Sequence, residues 1–456
     1  MPIRRLFVAN RGEIALRVVR AAQSLNIETV LGVSAADRDG LGAETADRVV
    51  VLGPAPAGKS YLDTRLVVHA AKATGCDAVH PGYGFLSERA EFAKLCEDEG
   101  LIFVGPRPET IDQVGDKLRA RELAQRNGVP LVPGSPLLTD ANDAADAADE
   151  LGYPVVMKAS AGGGGKGMFV ARSRDEIAAS FERASNEAQA AFGDGSLYLE
   201  RYIETARHVE VQILGDGEGG VWHFGERDCS VQRRYQKVVE EAPCAAMPED
   251  VRTKLHAAAV DLAAGVHYRN AGTVEFLYDV DRQDFHFIEV NARIQVEHPV
   301  TEMATGRDLV ACQLRLAGGE DLGLSQDDIR IDGHAIEVRI NAEDPNHDFR
   351  PSPGRITAWR PPTDEHVRLD SHCTASSLIP PFYDSMIGKL IVHGADRGQA
   401  VERLQQALND FEIEGIATNL PLQRFIAAHP DFAANRIDTR WLEQTGLLAF
   451  AQDKDS

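Results

Sequence analysis

Two glutamates carry the sharpest chemical signal in this chain. Residues 272–293 read as two short strands around a polar turn. A fold-back about Arg282 pairs Asp279 with Phe285, Leu277 with Phe287, Glu275 with Glu289, and Thr273 with Asn291. Directly opposed residues hold their Cβ atoms roughly 5 Å apart, where like charges repel. Two such carboxylates persist if a cation lies between them or if they share a proton. Hard oxygens on rigid strands suit Mg²⁺, which takes one or two carboxylates and leaves its other positions to water and phosphate. A register shifted by one residue would instead give a solvated hairpin face.

A glycine run supplies the second signal. Residues 155–171 read as strand, glycine loop and strand, with four consecutive glycines from Gly162 to Gly165. Such a run costs backbone entropy in any ordered state. Its use is close approach to a ligand, with N–H groups free to close over phosphates as a lid. Lys158 lies in the strand before the loop and brings a cation to the same place. The competing reading is a flexible surface hairpin.

A letter-perfect phosphate-loop pattern, Gly53-Pro-Ala-Pro-Ala-Gly58-Lys59-Ser60, follows the apolar run Val49–Leu52. It fails physically, because Pro54 and Pro56 have no N–H to aim at a phosphate. The following helix should also begin at the Lys-Ser pair, yet the N-cap signal is Asp63 or Thr64. A P-loop nucleotide hydrolase using Lys59 is therefore only the alternative reading.

Polar side chains alternate along apolar strands elsewhere. His208, Glu210 and Gln212 share one face, as do Glu337, Arg339 and Asn341. One such strand is a solvated face; several beside the paired glutamates point to one polar cavity. Gln232–Glu241 adds a cationic cluster of Arg233, Arg234 and Lys237, for which the competing reading is a charged surface loop.

The elements that position these residues follow from periodicity. Short apolar strands at 4–9, 28–33, 48–52, 77–80 and 101–104 alternate with helical segments to Leu25 and near 64–74 and 87–99. That alternation predicts a small parallel sheet with helices on both faces. A helical segment at 116–127 leads to a second unit, with helices near 141–150 and 176–192 and strands at 154–159 and 167–172. Ser173-Arg-Asp-Glu176 has the form of a capping box. Strands dominate 207–214, 220–225 and 273–291, and a last region of strands ends in a helix over 398–411.

The 456 residues imply about three domains. With 48 basic against 70 acidic residues, a net charge of −22 argues against a nucleic-acid or anionic-membrane surface. No apolar run is long enough to span a bilayer, and the first residues lack a signal-peptide core. Six scattered cysteines without a Cys-x-x-Cys pair fit a reducing, cytoplasmic setting.

Together these motifs make the chain resemble biotin carboxylase, the ATP-grasp component of biotin-dependent carboxylases such as acetyl-CoA carboxylase. The resemblance runs through Ala9-Asn-Arg-Gly-Glu-Ile-Ala15, His80-Pro-Gly-Tyr-Gly-Phe-Leu-Ser-Glu88, Ala161–Met168, Gln236–Pro243, Asn291–Glu302, Arg339–Pro345 and Tyr383–Lys389. It implies an α/β and α+β architecture: a Rossmann-like N-terminal domain over 1–115, an ATP-grasp domain over 116–333, a C-terminal domain over 334–446 and a tail over 447–456. Residues from about 132 to 203 would form a mobile lid.

The resemblance also implies roles. Lys117 and Lys158 would hold ATP phosphates beneath Gly164 and Gly165. Glu200, Arg201, Tyr202 and Ile203 would line the adenine, with His208 and Tyr235 further along the nucleotide. Tyr235 replaces the histidine familiar at that position. Glu275, Glu289 and Asn291 would bind Mg²⁺ or Mn²⁺. Lys237, Arg293 and the Val296 backbone would hold bicarbonate, Glu297 would be its base, and Arg339 would hold bicarbonate and then stabilise the biotin enolate. Biotin would arrive on a partner carrier protein, because no Ala-Met-Lys-Met biotinylation motif is present. A carboxyltransferase partner and a homodimer are expected from the same resemblance. Another ATP-grasp carboxylate ligase would share the glycine loop and metal glutamates but not Arg293, Glu297 and Arg339 together.

Overall fold

The computed structural model describes residues 2–160, 168–192 and 194–453. The glycine run, including Gly164 and Gly165, lies outside the described residues.

Five parallel strands form the first sheet: β1 (Arg5–Val8), β2 (Glu28–Ser34), β3 (Arg48–Gly53), β4 (Ala78–His80) and β5 (Ile102–Phe103). Their order is β3-β2-β1-β4-β5. Leu6, Phe7 and Val8 are all fully buried, as expected for a parallel strand covered on both faces. The strand order reverses between β1 and β4, so the loops leaving their carboxyl ends diverge and open a crevice. Asn10, just beyond β1, donates from Nδ2 to the carbonyls of Pro81 (2.6 Å) and Tyr83 (2.8 Å), fixing the two loops side by side. Gly82 has φ +62°, and a Cβ there would stand 2.9 Å from Asn10 Nδ2. The phosphate-loop look-alike ends as a short 3₁₀ turn, Ala57–Lys59, with Lys59 exposed. Helix Thr64–Ala73 starts afterwards, its N-cap Asp63 accepting from the Leu66 amide at 3.0 Å.

A second, three-stranded sheet joins β6 (Val155–Ala159), β7 (Phe169–Ala171) and β8 (Leu197–Arg201) in the order β7-β6-β8. Helices Ala141–Leu151 and Arg174–Phe192 cover it through Ala144, Ala145, Ala148, Ile177, Ala184 and Ala188. The capping box forms only in part: Ser173 Oγ accepts from the Glu176 amide (3.4 Å), but the Glu176 carboxylate takes the Arg172 amide (2.7 Å) rather than that of Ser173.

The large antiparallel sheet positions the chemistry. It contains β9 (Ala206–Asp216), β10 (Val221–Arg233), β11 (Gln236–Ala242), β12 (Arg269–Asp279), β13 (Asp284–Asn291) and β14 (His334–Asn341), followed by strands Met386–Gly394 and Val367–Ser371. The order is β13-β12-β9-β10-β11-β14, then Met386–Gly394, then Val367–Ser371. Thus β14, beyond the boundary drawn at 333, pairs directly with β11. Helix Arg397–Asp410, capped by Asp396, packs over the far end.

The hairpin register is half as expected. Glu275 faces Glu289 and Thr273 faces Asn291, but Phe276 pairs with Phe287 and Tyr278 with Phe285. The expected pairs Leu277–Phe287 and Asp279–Phe285 do not form. An irregularity between Glu275 and Phe276 leaves Ile288 without a partner. This bulge has a clear cause: in regular alternation Phe287 and Phe285 would share the polar face with Glu289. One extra residue turns both onto the core face, edge-on to Phe276 at centroid distances of 6.4 and 5.4 Å. The expected tail at 447–456 also differs, because Leu447–Asp453 is helical. Phe450 drives this, burying its ring against Phe425 at 5.4 Å.

Candidate active site

Cross-strand register builds one polar face on the large sheet. Glu289 faces Glu275, Glu275 faces Glu210, and Glu210 faces Arg227 across β13, β12, β9 and β10. Further along, Glu240 faces Glu337 and Arg339 faces Lys389. Opposed residues in a sheet point to the same side, so these charges form a continuous row. The alternating apolar residues (Val209, Val211, Val274, Val338, Ile340) fill the core on the other side.

Where this face meets the crevice of the parallel sheet, a cavity of about 720 Å³ opens. Asn10–Ile14 and Tyr83–Phe85 supply one wall; His208, Tyr235, Lys237, Glu275, Glu289, Asn291, Arg293, Val296, Glu297 and Arg339 supply the other. Lys117 is exposed and is not on that wall. Lys158 and Glu200 pair with each other on the small sheet, and Arg121 reaches Glu200 at 3.3 Å. Arg201 ends the strand that carries Glu200, and Tyr202 and Ile203 follow just beyond it, Tyr202 accepting from Arg440 at 2.9 Å. These residues therefore sit together on the small sheet and just beyond it, and none is among the residues lining the cavity.

Lys237 is the electrostatic centre. Its ammonium donates to Glu210 Oε2 (2.5 Å), Glu297 Oε1 (2.5 Å) and Glu275 Oε1 (3.1 Å). Glu297 Oε2 accepts from Arg339 Nη2 (3.1 Å), whose Nε donates to Glu240 Oε1 (2.6 Å). Burial pushes the Glu297 carboxyl up, but Lys237, Arg339 and Arg227 outweigh it and hold the group well below the usual carboxylate range. Glu297 is therefore ionised and free of a proton at neutral pH. Arg293 lies on the same wall, donating to Glu88 (2.9 Å), Gln295 (2.7 Å) and Asn291 (3.0 Å).

The two hairpin glutamates differ in environment. Burial again opposes, yet Lys237 and His208 hold Glu275 low. Asn291 and Gln295 donate to its Oε1 at 2.9 and 3.0 Å. Glu289 has no such support: burial and then the Glu275 charge push it up, and among the described residues it makes no ion pair with Lys or Arg. A carboxyl pushed up by its neighbour, with an amide oxygen nearby at Asn291, fits a divalent cation seated between hard oxygens. His208, Glu210 and Glu275 also bring ligand atoms within 4.8 Å of one another. The Lys237 ammonium already bonds two of those carboxylates, so it is the cation of that second cluster.

Sequence reasoning missed Arg227, a fully buried cation of the face. It donates to Glu210 (2.6 Å), Gln212 (2.8 Å), Thr301 (3.0 Å) and Thr273 (3.2 Å). The signal was its place opposite Glu210, visible only once β10 is extended past residue 225.

Comparison with known proteins sets this geometry in a family. Biotin carboxylase, N-terminal domain, matches residues 2–111; Carbamoyl-phosphate synthase L chain, ATP binding domain, matches 116–325; and Biotin carboxylase C-terminal domain matches 337–444. Biotin carboxylase 1 of Bacillus subtilis is 48% identical over 447 residues, covering 98% of this chain and 99% of that protein. The biotin carboxylase domain of a thermophilic 2-oxoglutarate carboxylase bound to bicarbonate superposes with a TM-score of 0.92 at 44% identity, over 97% and 98% of the two chains. The Hydrogenobacter thermophilus 2-oxoglutarate carboxylase biotin carboxylase domain dimer, in complex with MgADP, ADP and bicarbonate, gives 0.86 at 45% identity, over 97% and 98%.

Proposed function

The chain belongs to the biotin carboxylase family and is a ligase that carboxylates biotin at the expense of ATP and bicarbonate; from that premise we propose how its own residues divide the work. The observation that carries the reading is the Lys237–Glu297–Arg339 cluster on the cavity wall.

Bicarbonate binds as an anion between Lys237, Arg293 and the Val296 backbone. Its arrival draws the Lys237 and Arg339 charges away from Glu297, whose proton affinity then rises. Glu297 removes the bicarbonate proton, within hydrogen-bond reach as a general base must be. The freed oxygen attacks the ATP γ-phosphorus, ADP leaves, and carboxyphosphate forms; positioning and charge neutralisation carry this step. Glu275, Glu289 and Asn291 would hold Mg²⁺ or Mn²⁺, which would neutralise phosphate charge. Carboxyphosphate splits into CO₂ and phosphate, and phosphate takes the ureido N–H proton of biotin. The biotin nitrogen then bonds to CO₂ while Arg339 offsets the enolate oxygen, as an oxyanion donor does.

Lys117, Lys158, Gly164 and Gly165 serve the phosphates, and Glu200, Arg201, Tyr202, Ile203, His208 and Tyr235 the rest of the nucleotide. The domain division at 115/116 and 333/334, a mobile lid, a biotin carboxyl carrier protein, a carboxyltransferase and a homodimer complete the reading. Support for magnesium and the dimer comes from the Hydrogenobacter complex. Six buried cysteines without a disulfide support a reducing cytoplasm, and no helix among the described residues is long and apolar enough to cross a membrane. Bicarbonate-dependent ADP release should rise steeply on adding free biotin; a rate indifferent to biotin would count against this reading.

A further inference from the structure

Lys389 is buried to 0% exposure on strand Met386–Gly394. A buried ammonium is costly unless paired and hydrogen-bonded, so its partners report what it is for. It donates to the main-chain carbonyl of Val296 at 2.7 Å and lies 3.2 Å from Glu13 Oε1. The same Glu13 oxygen accepts the Tyr83 hydroxyl.

These contacts join the two walls of the cavity. Glu13, in the first turn of helix Gly12–Ser24, and Tyr83, in the loop after β4, lie on the parallel-sheet side. The Val296 carbonyl belongs to the peptide unit linking Val296 to Glu297, the base. A peptide is planar, so fixing its oxygen also fixes its amide and the direction in which Glu297 leaves the chain. On the sheet itself Lys389 faces Arg339, which holds the other oxygen of Glu297. One ammonium thus touches the base loop, lies beside the Arg339 strand position, and reaches Tyr83 through one carboxylate.

We propose that Lys389, acting with Glu13, is a positioning residue that sets the spacing between the Glu297 loop and the Tyr83 wall. The proposal rests on the assignment of Glu297 as base. Lys389 and Glu13 act through the Val296–Glu297 peptide and Tyr83 rather than on bicarbonate itself. Their effect is on geometry at the reacting atoms, where small misplacements are expensive.

The test is steady-state kinetics on Glu13→Gln, Lys389→Met, Tyr83→Phe and Glu13→Gln/Tyr83→Phe, with Glu297→Gln as control. Glu13→Gln keeps the shape and an acceptor oxygen, so it guards against simple misfolding of Lys389→Met. It should lower kcat/KM for bicarbonate and for biotin by about 10- to 100-fold, the range expected for losing a charged hydrogen bond. KM for ATP should stay within about twofold. Tyr83→Phe should add little in the Glu13→Gln background, because the two act as one unit. A purely structural role would lower melting temperature and all three substrate parameters together, and would overturn the proposal; so would additive effects of the two substitutions. Full activity in Glu297→Gln would instead overturn the functional reading beneath it.

Discussion

Glu275 and Glu289 stand directly opposite each other on β12 and β13, one step before the bulge at Ile288. Two carboxylates in that relation need a cation or a shared proton. Glu275 has Lys237, Asn291 and Gln295; Glu289 has no ion pair among the described residues. Glu289→Gln should therefore weaken Mg²⁺ dependence of ATP cleavage by at least about 100-fold, beyond the 10- to 100-fold typical of outer-sphere partners. A magnesium titration of ADP release measures this. An unchanged magnesium midpoint would remove Glu289 from the metal site.

The bulge makes its own prediction. Deleting Ile288 removes the unpaired residue and sets Phe287 next to Glu289, so plain alternation then keeps Phe285 and Phe287 on the core face. The variant should fold and stay within about 3 kcal/mol of the parent, the ordinary range for a single change, because the buried aromatic side chains keep their core. Urea unfolding checks it; failure to fold would show that the bulge itself, rather than the facing of the two rings, holds the hairpin.

Lys59 separates two readings of the sequence. It is exposed at the end of a 3₁₀ turn and is not among the residues lining the cavity. Lys59→Ala should leave stability within about 0.5 kcal/mol, as for other surface changes, and ADP release close to unaltered. Loss of activity there would restore the phosphate-loop reading.

Tyr235 is 71% exposed and has φ +65°, a left-handed conformation that bulky side chains rarely adopt. Histidine is more at ease there. Tyr235→His should leave melting temperature equal or higher and shift KM for ATP by no more than about threefold. A large rise in KM would mean that the phenol makes a specific nucleotide contact.

Acid stability should track Glu241. Burial opposes, but His334 (2.8 Å) and Arg397 (2.7 and 2.9 Å) bring its carboxyl from 4.5 down to about 2. A depressed folded value means that the stabilisation is complete above the unfolded pKa and is lost as pH falls towards the folded one. Glu241→Gln should be less stable than the parent near neutral pH by roughly 3 kcal/mol, the gap closing as pH falls from about 5 towards about 2. Urea midpoints across that range measure it; a gap independent of pH would show that packing, rather than charge, holds the site.

Much of the fold and part of the site are legible in the sequence, for definite physical reasons. The parallel strands are near-continuous apolar runs separated by turn residues, so their alternation with helices reads directly. Glu275–Glu289 survives because it lies on the open side of the bulge; the pairs beyond it do not, since a one-residue insertion leaves no mark in composition. Arg227 was hidden because its neighbours Glu226 and Asp228 disguise a buried strand as a charged segment. Lys389 was visible only as the end of a motif, and its partners Glu13 and Val296 are 376 and 93 positions away.

The most direct measurement follows isotopically labelled bicarbonate into free biotin with the purified chain, ATP and magnesium, comparing the parent with Glu297→Gln. Label should appear in carboxybiotin in proportion to ADP formed, and should vanish with the substitution. ADP released without labelled biotin, or labelling undiminished in Glu297→Gln, would contradict the account.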